Sequence, residues 1–287
     1  MGEERMSMFS TSSAMGRVGS TTTQSVAHSG RYLLTYRRIL LRVTRNELVA
    51  RYAGSVLGVG WALLTPLVMI SIYAVVYLVI FRVQVPGLTP GQYVLFIFAG
   101  LVPFLMTSEA LGSGVGSVIA NKAVLSNTVF PIDLAPPKAV LLSQVPMVVG
   151  MSAILLVMPF VGPLSWTISL LPLVWILHVM ALIGVVWMLS LVGLVFRDLQ
   201  NLVHLLVLMM MIASPIAYTP AMVPRTLRPL LLLNPFAYFV TAYQHVLVLG
   251  TLPGLWLSLV LVVMSVGLFL LGGRFFARAK RALIDYV

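Results

Sequence analysis

The stretch WTISLLPLVWILHVMALIGVVWMLSLVGLVF, residues 166–196, runs for 31 positions without Asp, Glu, Lys or Arg. About 20 apolar residues in a helix cross the hydrocarbon core of a bilayer, so this stretch predicts a membrane-spanning helix. The whole chain of 287 residues agrees, because 60% of its residues are hydrophobic and 9% are charged, against roughly 25% in a soluble domain. The composition excludes a soluble globule, and the long continuous apolar stretches favour helices over an outer-membrane barrel.

Five further apolar stretches give six predicted spans in all. In chain order the six are 57–81, 93–119, 138–161, 166–196, 199–218 and 255–272. The second span is interrupted by Pro103 and by the stretch GSGVGS at 112–117. These glycines are more typical of close helix packing than of a nucleotide-binding loop. The predicted fold class is an all-α integral membrane protein with six transmembrane helices.

The segment 219–250 is too broken for one span and too apolar for a free loop. It contains four prolines and two arginines, yet also the runs LLLL and FAYFV. Irregular backbone at membrane depth has to be buried in protein or face a wet cavity. We therefore predict a re-entrant pair of short helices on the outer side, between spans five and six. A seventh and an eighth span are the alternative.

The distribution of charge predicts the topology. The formal net charge is +11, but the basic residues gather at the two ends of the chain, which argues against a nucleic-acid partner. With six spans both termini share one side, and that side receives fifteen of the 18 Lys and Arg. The other side receives only Arg82, Arg225 and Arg228. By the positive-inside rule, both termini are predicted to be cytoplasmic.

The two ends of the chain differ in pattern. Residues 1–30 are rich in Ser, Thr and Gly and predict a disordered segment that is not a signal peptide. Residues 31–53 predict an amphipathic helix in the cytoplasmic interface, with a merely solvated helix as the alternative. Its arginines and leucines repeat along two faces: Arg31, Arg38, Arg42 and Arg45 on one, Leu34, Leu41 and Leu48 on another. Residues 274–287 are predicted to form a basic cytoplasmic tail.

Signatures of catalysis and of metal binding are missing from the sequence. It contains no GxxxxGK[ST], GxSxG or HExxH motif, no cysteine, and four scattered histidines. We predict no catalytic residue, no metal site and no ATP site in this chain. His178 and His204 lie within spans, and we interpret them as hydrogen-bonded packing residues, with a role in a pathway as the alternative.

Glu109 is the one acid predicted to lie within a span. An intramembrane carboxylate normally faces a bundle interior or an aqueous path, so we predict that Glu109 faces a pathway or binds a partner. The alternative is a structural hydrogen bond near the outer end of its span. Tyr73 and Tyr77 lie too deep for an interfacial aromatic belt. A carbohydrate conduit and ordinary packing explain them equally well.

Six blocks in order carry a family resemblance: RNELVARYAGSVLGVGWALLTPL (45–67), FAGLVPF (98–104), NKAVLSNTVFPIDLAP (121–136), FRDLQNL (196–202), SPIAYTPAMVP (214–224) and LNPFAYFV (233–240). Together they resemble the permease subunits of ABC-2 type polysaccharide exporters, which move O antigens, capsular chains and teichoic acids. The resemblance covers about 30–287.

The resemblance implies a homodimer of six-span permeases with two copies of a separate ATPase subunit. That subunit would bind ATP and Mg, so this chain is expected to bind no cofactor. The implied permease domain covers 54–273, with a coupling loop at 121–136 that docks into the ATPase and outer helices at 219–250. The implied substrate is a lipid-linked polysaccharide, capsule or O antigen. The implied location is the bacterial cytoplasmic (inner) membrane, with membrane lipids and periplasmic export partners in contact.

Three sets of residues are predicted to carry these roles. The substrate pathway set is Tyr73, Tyr77, Phe81, Phe104, Glu109 and Tyr218. The set for lipid head groups is Arg38, Arg42, Arg45, Arg51 and Tyr52, although Arg51 is equally explained as a helix anchor. The ATPase-coupling set is Asn121, Lys122, Asn127, Phe130 and Pro131. Two other functions remain open, which are an efflux permease for a small amphiphile or drug and a membrane-embedded transferase on lipid-linked sugars. The transferase would require paired acids or a metal-binding cluster, whereas the acids here are single.

Overall fold

The computed structural model describes residues 30–58, 60–80, 87–121, 131–162 and 164–283, without the side chains of residues 70, 74, 77, 78 and 281–283. Every regular element within these residues is helical, so the all-α prediction is confirmed for them. Four helical segments are long and apolar enough to cross a membrane: Pro90–Val115, Ile132–Val161, Trp166–Val195 and Leu255–Lys280. Two apolar helices, Gly60–Tyr73 and Leu199–Ala213, are shorter.

The helices of the described residues are named in chain order. They are α1 (Arg37–Arg51), α2 (Gly60–Val75), α3 (Pro90–Val115), α4 (Ser117–Ala120), α5 (Ala135–Leu142), α6 (Gln144–Val161), α7 (Leu171–Val195), α8 (Leu199–Ala213), α9 (Arg228–Leu233), α10 (Pro235–Gln244) and α11 (Leu255–Leu283). Short 3-10 turns cover Ile132–Leu134, Trp166–Leu170 and Pro220–Met222, and π-helical turns cover Val76–Ile80 and His245–Leu249.

Helix α3 is the centre of the bundle. It begins sharply because Thr89 and Gln92 form a capping box and proline occupies its first turn. It contacts α2, α5, α6, α7, α8 and α10, and most of its residues are buried. The predicted interruption at Pro103 is wrong, because α3 continues through it to Val115. Buried helices tolerate proline where neighbouring groups satisfy the freed backbone.

Glycines let the helices approach closely. A Cβ added at Gly114, within GSGVGS, would collide with Val186 of α7, which confirms the packing interpretation of that stretch. A Cβ at Gly184 of α7 would collide with the backbone of Leu268, and a Cβ at Gly272 of α11 would collide with the backbone of Gly184. Helices α7 and α11 therefore meet backbone to backbone, as small residues permit in membrane bundles.

Two predicted spans differ from the structure in extent. Helix α8 ends at Ala213, five residues before the predicted end of span five, and the residues from 214 to 217 are buried without being helical. Helix α11 has 29 residues, about 43 Å at 1.5 Å per residue. It thus continues beyond residue 272 and through most of the predicted basic tail. Within 219–250, the described backbone forms the short helices α9 and α10, and α10 packs against α3, α7 and α11.

Candidate functional site

Helix α1 lies against α5 and exposes its arginines. Its buried side runs through Leu40, whereas Leu34 and Leu41 are 65% and 59% exposed. Leu34 and Leu41 of the predicted leucine face therefore point away from the protein, whereas Leu48 is half-buried. This is the side on which an interfacial helix contacts lipid. Arg38, Arg42 and Arg45 are also exposed.

A shallow, open groove of about 620 Å³ lies along α1, and all of the residues that line it belong to that helix. Its lining combines two guanidinium groups and an amide with aliphatic side chains: Leu41, Arg42, Arg45, Asn46, Val49 and Ala50. Guanidinium groups bind phosphate and carboxylate through paired N–H donors, and the aliphatic residues suit a hydrocarbon chain. The groove therefore fits an anionic amphiphile. Tyr52, directly after α1, is half-buried.

Arg51, the last residue of α1, donates a hydrogen bond to the Glu109 carboxylate and forms an ion pair with it. Partial burial acts to lower the pKa of Arg51, but the hydrogen bond and the charge of Glu109 together raise it above its ordinary value. Glu109 thus binds a partner within the chain. It lies toward the end of α3 that contacts α1, which the charge count predicts to be the cytoplasmic end and not the outer one.

Lys138 links three elements at the same end of the bundle. Its side chain, on α5, is only 4% exposed and forms an ion pair with Glu47 of α1. Its ammonium also donates to Asn121 Oδ1 at 2.5 Å, and Asn121 Nδ2 donates to the carbonyl of Ser117 at 2.6 Å. The sequence analysis used Lys138 only as one of the basic residues that predict the topology. Its position at the start of a predicted span did not indicate that its side chain is buried.

Asp133 forms a second link. Both of its carboxylate oxygens accept from Lys280 Nζ at 2.8 Å, and its backbone carbonyl accepts from Trp187 Nε1 at 3.1 Å. Tyr32, in the helical turn before α1, also hydrogen-bonds the carboxylate; burial and the charge of Asp133 raise the pKa of Tyr32 to about 12. The base of the predicted coupling loop is thereby joined to both ends of the chain.

The predicted coupling residues fall at the edge of what the structure describes. Asn121 and Pro131 flank the segment 122–130 and are described. Lys122, Asn127 and Phe130 lie outside the described residues. Lys138 holds the Asn121 flank in place, and Asp133, two residues after Pro131, holds the other flank.

The described members of the predicted pathway set make several separate contacts, and those of Tyr73 and Tyr218 fall on adjacent residues of α8. The Tyr73 hydroxyl of α2 donates to Met211 Sδ of α8 at 3.7 Å, and the Tyr218 hydroxyl donates to the carbonyl of Ile212 at 3.5 Å. Phe104 is 2% exposed.

Phe104 packs within the bundle. Its ring meets that of Phe236 edge-on, with centroids 6.2 Å apart, which joins α3 to α10. The side chain of Tyr77 and the whole of Phe81 lie outside the described residues.

Side-chain amides hold the irregular turn after α8, and sequence reasoning missed them. Gln244 Nε2 donates to the carbonyls of Pro215 at 2.9 Å and Ile216 at 3.2 Å, and lies 3.4 Å from that of Phe96. The Tyr93 hydroxyl donates to the carbonyl of Ala217 at 2.8 Å. These contacts satisfy backbone that no helix satisfies, which irregular structure at membrane depth requires. The signal in the sequence was the presence of two side-chain amides, Asn234 and Gln244, in the segment 219–250.

Asn234 completes this set. Its Nδ2 donates to Ser214 Oγ at 2.9 Å and to the carbonyl of Met210 at 3.3 Å, while its Oδ1 caps α10 at Phe236 N. One asparagine therefore joins the end of α8 to the start of α10.

His178 is a hydrogen-bonded packing residue, as predicted. Its Nε2 lies 2.9 Å from Thr107 Oγ1, and its ring stacks on Phe239 of α10 at 4.1 Å. His204 Nδ1 lies 3.1 Å from the carbonyl of Gln200, but its side chain is exposed on α8.

Comparison with known proteins gives one family and several relatives. The sequence profile of the family described as ABC-2 type transporter matches residues 39–248. The O-antigen export system permease protein RfbA of Myxococcus xanthus is 27% identical over 226 residues, which is 78% of this chain and 85% of that protein. A protein of the same name from Klebsiella pneumoniae is 29% identical over 227 residues, 77% of this chain and 84% of that protein.

Proposed function

Because the chain belongs to the ABC-2 type transporter family, we propose that it is the permease subunit of an ATP-driven exporter of lipid-linked polysaccharide. The proposal rests on relatives named as O-antigen export permeases, which align with more than three-quarters of this multi-pass membrane chain. In the proposed complex, two six-span permeases pair in the inner membrane with both termini in the cytoplasm. Two copies of a separate ATPase subunit bind ATP and Mg, and this chain binds neither.

The segment 121–136 would receive the movement of the ATPase. It connects α4 to α5, at the end of the bundle where α1 lies, and charge counting assigns that end to the cytoplasm. The ion pairs of Lys138 and Asp133 support this proposal, because they anchor the flanks of the segment to the rest of the bundle.

The groove beside α1 would receive the acidic head group of the lipid carrier. Arg42 and Arg45 stand one turn apart within it, next to Leu41 and Val49. The exposed Arg38 extends the basic face, while Arg51 is engaged by Glu109. The lipid phosphate would lie on the arginines, with its hydrocarbon chain along the aliphatic side.

The segment 219–250 would form the outer cap, with α9 and α10 as re-entrant helices. The polysaccharide would pass between α2, α3 and α8, along Tyr73, Tyr77, Phe81 and Tyr218. Tyr73 supports this route, since its contact with Met211 places α2 beside α8.

The direct test is reconstitution with a candidate ATPase subunit from the same organism. The substrate is the lipid-linked polysaccharide that accumulates in cells lacking the chain. We expect a stable complex, ATP hydrolysis that the polysaccharide stimulates, and delivery of polymer across proteoliposomes. Failure to form a complex with the ATPase would contradict the proposal. Stimulation by small amphiphiles but not by the polysaccharide would favour a drug-efflux permease.

The head-group site has a test of its own. Replacing Arg42 and Arg45 together by Gln removes two phosphate contacts, each charge-assisted bond being worth about 1.5–3 kcal/mol. We expect the polysaccharide concentration for half-maximal ATPase stimulation to rise at least about tenfold. Arg37→Gln, an exposed arginine of the same helix outside the groove, is the matched control. Equal behaviour of the two variants would refute the assignment.

A further inference from the structure

Lys138 is an unusual residue for its position. It lies in the helical segment Ile132–Val161, which is apolar enough to span a membrane, and its ammonium is almost completely buried. A lysine near the end of a span ordinarily extends its charge to water. Here the charge is turned inward, onto Glu47 and Asn121.

Net stability does not explain this arrangement. A buried ion pair is often no more stabilising than apolar side chains of similar volume, because both charges lose hydration. What a buried pair does specify is geometry, since an ammonium without its partner is strongly unfavourable. The Glu47 side chain is 42% exposed, so the pair contributes little to the free energy of folding. Its main effect is to fix the position of Lys138 relative to α1.

The neighbours of Lys138 are the parts that the coupling function has to connect. Glu47 belongs to the interface helix α1, and Asn121 is the last described residue before 122–130. Asn121 is itself held to α4 by its bond to the Ser117 carbonyl. One ammonium thus joins the interface helix, the start of the coupling segment and α5.

The far end of the segment has contacts of its own. Asp133, two residues after Pro131, binds Lys280 of α11 through both carboxylate oxygens and also contacts Tyr32 in the turn before α1. The Asn121 flank is tied to α1 through Lys138, and the Asp133 flank is tied to α11 and to the turn before α1.

We propose that Lys138 is a positioning residue that makes the interface helix move together with the coupling segment. This inference rests on the proposed docking of the ATPase at 121–136. When the ATPase displaces that segment, Asn121 moves with it, and the hydrogen bond from Lys138 to Asn121 makes Lys138 move too. The ion pair between Lys138 and Glu47 then transmits the movement to α1. The arginines beside the lipid groove lie on α1, so the docking event and the groove shift as one unit.

The test uses the reconstituted complex and measures polymer exported per ATP hydrolysed. Lys138→Met keeps an unbranched side chain that is one heavy atom shorter, removes the ammonium, and leaves Glu47 free to solvate. We expect the complex to assemble and hydrolyse ATP, with export per ATP reduced at least about fivefold, as loss of coupling between two sites typically gives. Arg197→Met, an exposed cation on the turn between α7 and α8, should stay within about twofold of the native ratio. A native ratio for Lys138→Met would overturn the proposal.

A second variant decides the matter if Lys138→Met fails to assemble. The native chain contains no cysteine, so Glu47→Cys with Lys138→Cys gives one defined pair. A bis-maleimide linker, applied to the assembled complex, rebuilds the connection without charge. We expect low export per ATP before linking and recovery after it. No recovery, or no loss before linking, would overturn the proposal. If the native complex itself exports no polysaccharide, the proposed function fails, whereas a normal native complex with fully coupled variants refutes only the role of Lys138.

Discussion

Gln244 is expected to be the residue whose amide contributes most to holding the irregular turn after α8. It is 1% exposed, and its Nε2 donates to the carbonyls of Pro215 and Ile216. Gln244→Leu retains the approximate volume but leaves both carbonyls without that donor. A buried polar group left unsatisfied costs about 1–3 kcal/mol, so we expect Gln244→Leu to lower the free energy of unfolding by about 2–6 kcal/mol.

The geometry also predicts the effect of a substitution that conserves shape. Gln244→Glu replaces the donor by a carboxylate that faces two carbonyl oxygens, so an ionised glutamate would meet only acceptors in a buried site. Since a buried charge without partners costs more than a missing hydrogen bond, Gln244→Glu should destabilise the chain more than Gln244→Leu at neutral pH. Protonation of the carboxyl at low pH restores one donor and should reduce the difference.

The measurement is unfolding of the purified chain in mixed micelles by titration with SDS, followed by tryptophan fluorescence. Gln200→Leu is the matched control, because Gln200 is exposed on α8 and surface substitutions change stability by about 0.5 kcal/mol or less. If Gln244→Leu matched Gln200→Leu, the carbonyls would have other partners and the reasoning would be refuted.

Two further predictions concern close helix packing and the base of the coupling segment. Gly184→Ala forces a Cβ into the Leu268 backbone and should lower stability by about 1–3 kcal/mol; Gly267→Ala, where a Cβ meets nothing within 4 Å, should be neutral or slightly stabilising in the same SDS titration. Tyr32 has a pKa raised from 10.0 to about 12, so its bond to Asp133 contributes fully below pH 10 and is lost as the pH rises toward 12. An absorbance titration of phenolate should show one group fewer near pH 12 in Tyr32→Phe, and an unchanged titration would contradict that assignment.

The sequence predicted what depends on local pattern. The lengths of the apolar runs predicted the membrane helices. The spacing of the arginines predicted the exposed basic face of α1, because residues three, four and seven apart lie on one face of a helix. The proline-broken composition of 219–250 likewise indicated short helices. Length alone misjudged α8 and α11, because an apolar run does not mark where the backbone leaves the helix.

Contacts between distant residues could not be predicted from local pattern. Asp133 and Lys280 are 147 positions apart, and Gln244 and Phe96 are 148 apart. Such pairs depend on which helices become neighbours, and one sequence contains no direct sign of that. The chemical type of these residues was nevertheless a signal. A side-chain amide within an apolar segment and a lysine at a span end both have to find partners once they are buried.

The two ends of the bundle differ in how their polar groups are satisfied. This difference bears on how the proposed movement of the ATPase would be transmitted to the bundle. At the end bearing α1, the links are ion pairs with partly exposed members, such as Glu47 at 42% and Arg51 at 38%. Water can reach both members of the Arg51–Glu109 pair, so that pair is weak and can exchange, whereas the buried ammonium of Lys138 keeps Glu47 bound. At the other end the links are neutral amides, with Gln244 and Asn234 each 1% exposed, and breaking them leaves buried groups unsatisfied. If 121–136 receives the movement of the ATPase as proposed, α1 and this segment shift together at the ion-paired end, while the amide-bonded turn after α8 stays intact.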